Sequence, residues 1–255
     1  MQTTHVVTGA GRGIGRAVVS RLLDVPDAVV VAVERDAGAL AWAAGEPRVR
    51  TVTGDAGDAA TAERAADLAE EAGTLAGWVN NAAVFRDASP HDTSARELMD
   101  LVALNLGMPM TGCTTAIRRF LAAGTPGAIV NVTSHQARRA VPGCVPYVTA
   151  KAAIEGLTRA LAVEYGPRGI RVNAVAPGSV RTERYEAFLA DLGPERAADV
   201  ERQMGELHPL GRVALAAEVA SAVVHLLSDE ASFITGATVP VDGGRSVLAH
   251  DPEAH

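Results

Sequence analysis

The chain has little cysteine, no excess of positive charge and no long apolar run, and each shortage narrows its function. Two cysteines, Cys113 and Cys144, occur in 255 residues. They lie too far apart in sequence for a zinc or redox pair, so two reduced, packed thiols are expected. Lysine and arginine total 23 against 30 aspartate and glutamate, a net charge of −7. That balance offers nothing to nucleic acid or an anionic membrane, and neither is expected as a partner. The nearest approach to a membrane span, Ala216 to Leu227, contains Glu218 and His225. No cluster of metal ligands is visible, and no metal is expected. The first motif begins at Thr8, so a signal segment is not expected and a cytoplasmic location is.

What remains is an alternation of short β-rich runs and longer helical patterns. Strands are expected at His5–Thr8, Ala28–Val33, Val49–Thr53, Gly77–Asn80, Ala128–Thr133, Ile170–Val175 and Ala237–Val241. Several are continuous apolar runs, as strands buried on both faces require. Helices are expected at Ile14–Leu23, Ala59–Ala72, Ser94–Ala123 (with a break near Gly107 and Pro109), Val145–Tyr165 and Ala216–Leu227. The pattern predicts an α/β fold, a Rossmann-type doubly wound sheet of about seven parallel strands with helices on both faces. No repeat or linker divides residues 1–255, so a single domain is expected. Residues 179–213 break the rhythm. They are polar, carry no strand signal and follow a strand's carboxyl end, where open α/β sheets bind ligands, so they are read as a substrate lid rather than a surface insertion.

Thr8-Gly9-Ala10-Gly11-Arg12-Gly13-Ile14-Gly15 joins the first strand to the first helix. Glycines permit a tight turn and close approach to a pyrophosphate, and the helix start offers free N–H groups to that anion. Glu34, at the end of the second strand, is placed to accept hydrogen bonds from ribose hydroxyls and to repel a 2′-phosphate, which favours NAD. Arg12 and Arg35 are near enough to meet such a phosphate, so NADP stays open. Asp55 reads equally as an acceptor for the adenine amino group and as a turn former between Gly54 and Gly57.

Tyr147 and Lys151 stand four apart on one helix face. A free phenol, with a pKa of about 10, is a poor base near neutrality. An adjacent ammonium and an oxidised nicotinamide would favour the phenolate, which could then take the proton of an alcohol as hydride leaves its carbon. Ser134, at the carboxyl end of the fifth strand, could polarise the same oxygen. No acid–histidine partner accompanies it, which argues against acyl transfer.

In this order and spacing, the glycine turn, Asn80-Asn81-Ala82-Ala83, Asn105, Ser134, Tyr147/Lys151, Pro177-Gly178-Ser179-Val180-Arg181-Thr182 and Val241-Asp242-Gly243-Gly244 resemble the short-chain dehydrogenase/reductase family over nearly the whole chain. The resemblance implies roles. Tyr147 would be the acid/base, Lys151 would tune it and hold the nicotinamide ribose, and Ser134 would orient substrate. Asn105 would mark a helix kink that holds a relay water. Gly9, Gly11, Arg12, Gly13, Ile14, Gly15, Glu34, Asp55, Ala56, Asn80, Asn81, Ala82, Pro177, Gly178, Val180 and Thr182 would line the dinucleotide. A homo-tetramer or dimer is implied as well. Ala83 departs from the family's usual glycine, where a methyl could strain a backbone that needs positive φ.

The function expected is hydride transfer between NAD(H) and a secondary alcohol or ketone of a small molecule by a Ser-Tyr-Lys mechanism. Alternatives are an NADPH-dependent carbonyl or 3-oxoacyl reductase and a catalytically silent dinucleotide-binding regulator. Gln136, two residues after Ser134, is expected to face substrate. His135, Arg138, Val141, Cys144, Tyr185 and His208 are further pocket candidates.

Overall fold

A computed structural model describes residues 2–249; the ends of the expected 1–255 unit lie outside that range. Seven parallel strands form the main sheet in the order β3-β2-β1-β4-β5-β6-β9. They are β1 (Thr3–Thr8), β2 (Val29–Glu34), β3 (Val49–Thr53), β4 (Thr74–Asn80), β5 (Gly127–Val132), β6 (Ile170–Pro177) and β9 (Thr238–Val241). All seven expected strands are present. β4 begins three residues early, because Thr74 and Leu75 pair with Thr3 and Thr4 before a register shift.

Alternation of side chains along each strand splits the core in two. Val7, Val30, Val79, Val130 and Val175 face one side, under α1 (Gly13–Leu22) and α7 (Ala216–Leu227). Val6, Val31, Trp78, Ile129 and Val172 face the other, where α2 (Ala59–Ala72), α3 (Ala95–Ala123) and α4 (Val145–Tyr165) pack. The helices start where their sequences say they should. Asp58 accepts from the N–H groups of Ala60 and Thr61 at the head of α2, and Ser94 and Glu97 form a reciprocal capping box at α3.

Two expectations are corrected. α3 is one helix of 29 residues, unbroken at Gly107 and Pro109. The segment 179–213 is not free of strand: β7 (Val180–Arg181) pairs with β8 (Ala214–Leu215) at its base, and α5 (Glu183–Leu192) and α6 (Pro194–Glu206) form its body. Two residues are too short a run for periodicity to register. Among the described residues, no helix is long and apolar enough to cross a membrane.

Candidate functional site

The chain runs outward from β1 to β3 and then returns to place β4 on the other side of β1. This reversal opens a crevice at the carboxyl ends of β1 and β4. Asn81 closes its floor. Its side-chain amide donates to the carbonyls of Thr8 and Gly9 at 3.0 Å each, while the Thr8 hydroxyl accepts from the N–H groups of Asn81 and Ala82. The glycine turn is thereby pinned to β4. A Cβ on Gly15 would stand 2.1 Å from the Gly9 carbonyl oxygen, so the helix can approach the strand this closely only with glycine there.

The head of α1 carries no side-chain cap of its own, because its N-cap residue is Arg12. Two carboxylates reach the turn instead. Glu183 of α5 accepts from the Gly13 N–H at 2.9 Å, across 170 residues of sequence. Glu34 accepts from the Gly11 N–H at 3.2 Å and, through its other oxygen, from Arg35 and Asp36. Glu34 is the last residue of β2, in register with Thr53. Arg12 is exposed and lies 3.6 Å from Asp36. Asp55 gives one oxygen to the Gly57 N–H at 2.8 Å, which is its turn-forming reading; Ala56 follows in the same half-buried turn.

Asn80 turns inward. With Trp78, Cys113, Asn131 and Thr158 it forms a buried polar chain, from the Trp78 Nε1 donor to the Thr158 hydroxyl. Burial pushes the Cys113 thiol up to about 12, so it remains protonated. Ala83 is not at positive φ; Asp27 is the non-glycine residue in that region, so the alanine introduces no strain there. Asn105, buried in α3, uses its side chain on Val84, accepting from its N–H at 2.9 Å and donating to its carbonyl at 3.0 Å. Four residues on, Pro109 lacks the N–H that would otherwise bond the Asn105 carbonyl.

Ser134, Tyr147 and Lys151 come together beside this crevice. Ser134 caps the short turn after β5, accepting from the Gln136 N–H at 3.1 Å. Lys151 is buried, donates to the Val132 carbonyl at 2.9 Å, and has its Nζ 5.4 Å from the Tyr147 ring centroid. It is the chain's single lysine. Desolvation lowers its pKa to about 8. The phenol of Tyr147 is raised above its ordinary value, chiefly by desolvation; the Ser134 hydroxyl and then the Arg184 cation oppose the rise. The ammonium at 151 was the cation expected from sequence, and the arginine at 184 was not. The edge of Phe85 meets the Tyr147 ring, with centroids 4.9 Å apart. Nothing local in the sequence marks Glu183, Arg184 or Phe85, whose partners are brought in by the tertiary fold.

The loop after β6 bounds the other side. Gly178 is wedged between Asp242 and His208, where a Cβ would lie 2.9 Å from the Asp242 Cα. Its N–H donates to the Val241 carbonyl, which ties Pro177 and Gly178 to β9. Val180 lies in β7, and Thr182 caps α5 with its methyl group facing Gly13. The histidines named as pocket candidates brace this loop. His208 Nε2 accepts from the Ser179 N–H and its Nδ1 meets the Met204 carbonyl; His135 Nδ1 meets the Pro177 carbonyl. Arg138 pairs with Glu155, and the Cys144 thiol lies 3.7 Å from Asp87, its pKa raised by burial and by that carboxylate. Val141 is half-buried, and the Tyr185 hydroxyl and the Gln136 Oε1 are buried without partners. Among the described residues, no group of three or more His, Cys, Asp or Glu side chains is arranged to hold a metal.

A family model described as enoyl-(acyl carrier protein) reductase matches residues 9–246. L-xylulose reductase of Bos taurus is 39% identical over 241 residues, 94% of each chain. Levodione reductase of Leifsonia aquatica is 33% identical over 249 residues, 94% of this chain and 93% of the relative. The ligand-free structure of Thermoplasma acidophilum aldohexose dehydrogenase superposes with a TM-score of 0.88 at 30% identity, covering 100% of this chain and 98% of that one. The protein is thus an enzyme, an oxidoreductase acting on CH–OH groups and their carbonyl counterparts, with a nicotinamide dinucleotide as cofactor. The chain belongs to the short-chain dehydrogenase/reductase family.

Proposed function

We propose that the enzyme interconverts a secondary alcohol and a ketone of a small molecule with NAD(H), using Ser134, Tyr147 and Lys151. The observation that carries this reading is their convergence at the carboxyl end of the sheet, beside an uncapped helix start whose N–H groups already attract carboxylates. Those N–H groups and the absence of room for side chains at Gly15 and Gly9 suit the pyrophosphate of a dinucleotide. The Glu34 carboxylate, held at Gly11, favours a ribose with free hydroxyls over a 2′-phosphate, hence NAD.

Bound there, the nicotinamide supplies the acceptor or donor of the hydride on the carbinol carbon. Ser134 orients the substrate oxygen. Tyr147 receives the hydroxyl proton in oxidation and returns it in reduction. Lys151, fixed on the Val132 carbonyl, keeps its charge at neutral pH and faces the phenol ring. The Asn105 carbonyl, left without a helical donor by Pro109, holds a water that links Lys151 to solvent, while the Asn105 amide secures the irregular segment after β4 at Val84. The 179–213 segment covers the substrate, and the chain assembles as a homo-dimer or tetramer, which light scattering tests against the 26.3 kDa monomer.

Tyr147→Phe tests the mechanism. It removes the transferable proton and leaves the ring packed on Phe85. Turnover should fall by about 10²- to 10⁴-fold, with NADH affinity within about twofold of the parent because the ring stays in place. Full turnover in this variant would defeat the assignment.

A further inference from the structure

Arg184 is the second residue of α5, two after the Thr182 cap. Its guanidinium carbon sits 4.2 Å from the centroid of Phe85, and Phe85 in turn meets the ring of Tyr147 at 4.9 Å. A cation, a benzene ring and the phenol therefore lie in sequence, the first pair face to cation and the second edge to ring. Five arginines occur in 179–213. Arg181 is paired with Glu186 and Glu201, Arg202 with Asp199 and Glu206, and Arg212 with Glu218, while Arg196 has no ion pair among the described residues and does not meet the rings of the site. Arg184 has no ion pair and no side-chain hydrogen bond among the described residues, although Glu183 and Glu186 flank it. Glu183 is committed to the glycine turn and Glu186 to Arg181. The nearby Asp87 is turned to the Cys144 thiol.

Among the described residues, the cation–π contact with Phe85 is the interaction that favours this placement, and it is modest at an exposed site. A cation in the first turn of a helix opposes the macrodipole. The contact with Phe85 places the exposed guanidinium, a planar fork of N–H donors, beside the ring that meets Tyr147. Such a fork matches a carboxylate in two parallel hydrogen bonds.

We propose that Arg184 receives a carboxylate of the substrate, so that the alcohol and ketone interconverted are a hydroxy acid and its oxo acid. This rests on the dehydrogenase reading above and adds the substrate class to it. The guanidinium would arrive with α5, and the acid's own charge would draw the 179–213 segment over the reacting carbon. Its charge opposes the rise that desolvation imposes on the Tyr147 phenol, in keeping with its place beside Phe85.

The test uses the NAD⁺-loaded enzyme with 3-hydroxybutyrate and 3-hydroxyoctanoate, each against its methyl ester, and with cyclohexanol as a neutral alcohol. NADH absorbance gives kcat/KM, and saturation-transfer NMR on the NADH complex gives binding. At least one acid should exceed its ester by about tenfold or more, the scale of one charge-assisted hydrogen-bonded contact. Arg184→Gln should bring that ratio close to one, and Arg184→Lys should recover part of it. Arg184→Gln should also move the Tyr147 limb of the kcat–pH profile upward, a change that a merely structural role would not produce. NADH binding by each variant reports its fold. Esters equal to or better than their acids, failure of both acids to bind, or a ratio indifferent to Arg184→Gln would each overturn the proposal. Oxidation of cyclohexanol or an ester in those cases would leave the dehydrogenase reading standing. No NADH from any alcohol, with Tyr147→Phe indistinguishable from the parent, would bring down that reading instead.

Discussion

The carboxylate of Glu183 occupies the N–H that a pyrophosphate would need, and replacing it should tighten cofactor binding. The contact is 2.9 Å long, bridges α5 to the head of α1, and is exposed. A carboxylate at a helix start gains about 0.3–1 kcal/mol from the macrodipole. The charge-assisted hydrogen bond adds to this, and solvent exposure discounts it. A net value of roughly 1 kcal/mol follows, which NAD⁺ must displace on entry and which corresponds to about fivefold in Kd. Glu183→Gln keeps the shape and a weaker, neutral acceptor but removes the charge that also repels the incoming diphosphate. We expect its Kd for NADH, followed by nicotinamide fluorescence, to fall about three- to fivefold. The gain should shrink in about 0.5 M salt, where the Debye length drops below 5 Å. Unchanged or weaker binding at low salt would refute the competition between the two anions.

Three further outcomes follow from other parts of the structure. Glu34→Gln should raise the KM for NAD⁺ by about tenfold and narrow the NAD⁺/NADP⁺ preference, because both the ribose acceptor and the repulsive charge are lost; initial rates with the two cofactors decide this. Gly15→Ala should lower Tm in a thermal melt and abolish cofactor binding, since its methyl would stand 2.1 Å from the Gly9 carbonyl oxygen and the backbone must move, costing about 1–3 kcal/mol. Acid should destabilise the fold between pH 6.5 and 4. Burial lowers His5 and His135 from 6.5 to about 4, so over that window the unfolded chain binds protons that the folded chain refuses. Stability is therefore full above pH 6.5 and declines as pH falls, by about 1.4 kcal/mol per unit for each histidine. Urea titrations at pH 7 and 4.5 should show the drop, and His5→Gln should reduce it.

The sheet was legible because buried parallel strands write themselves as apolar runs, and the glycine turn because its chemistry is local. Ser134, Tyr147 and Lys151 were legible by order and spacing, since one strand end and one helix face carry all three. The continuity of α3 was not. Gly107 and Pro109 weaken a helix by propensity, but packing of Met108, Gly112, Ala116 and Phe120 in the interior outweighs that cost. β7 and β8 escaped because two residues have no period. Glu183, Arg184 and Phe85 escaped for a different reason. Each reads as an ordinary surface residue until the fold sets Glu183 against Gly13 and Arg184 against Phe85, contacts that link segments far apart in the chain.

The solitary lysine gives the protein an unusual property for an experimenter. Amine-directed reagents have only two places to go, the chain's amino terminus and a side chain sealed beneath the fifth strand's last carbonyl. Acylation at position 151 therefore requires the catalytic helix to part from the sheet, and peptide mapping separates it from reaction at the amino terminus. Its rate is a direct gauge of how often that helix opens, and cofactor or inhibitor that clamps the helix should slow it.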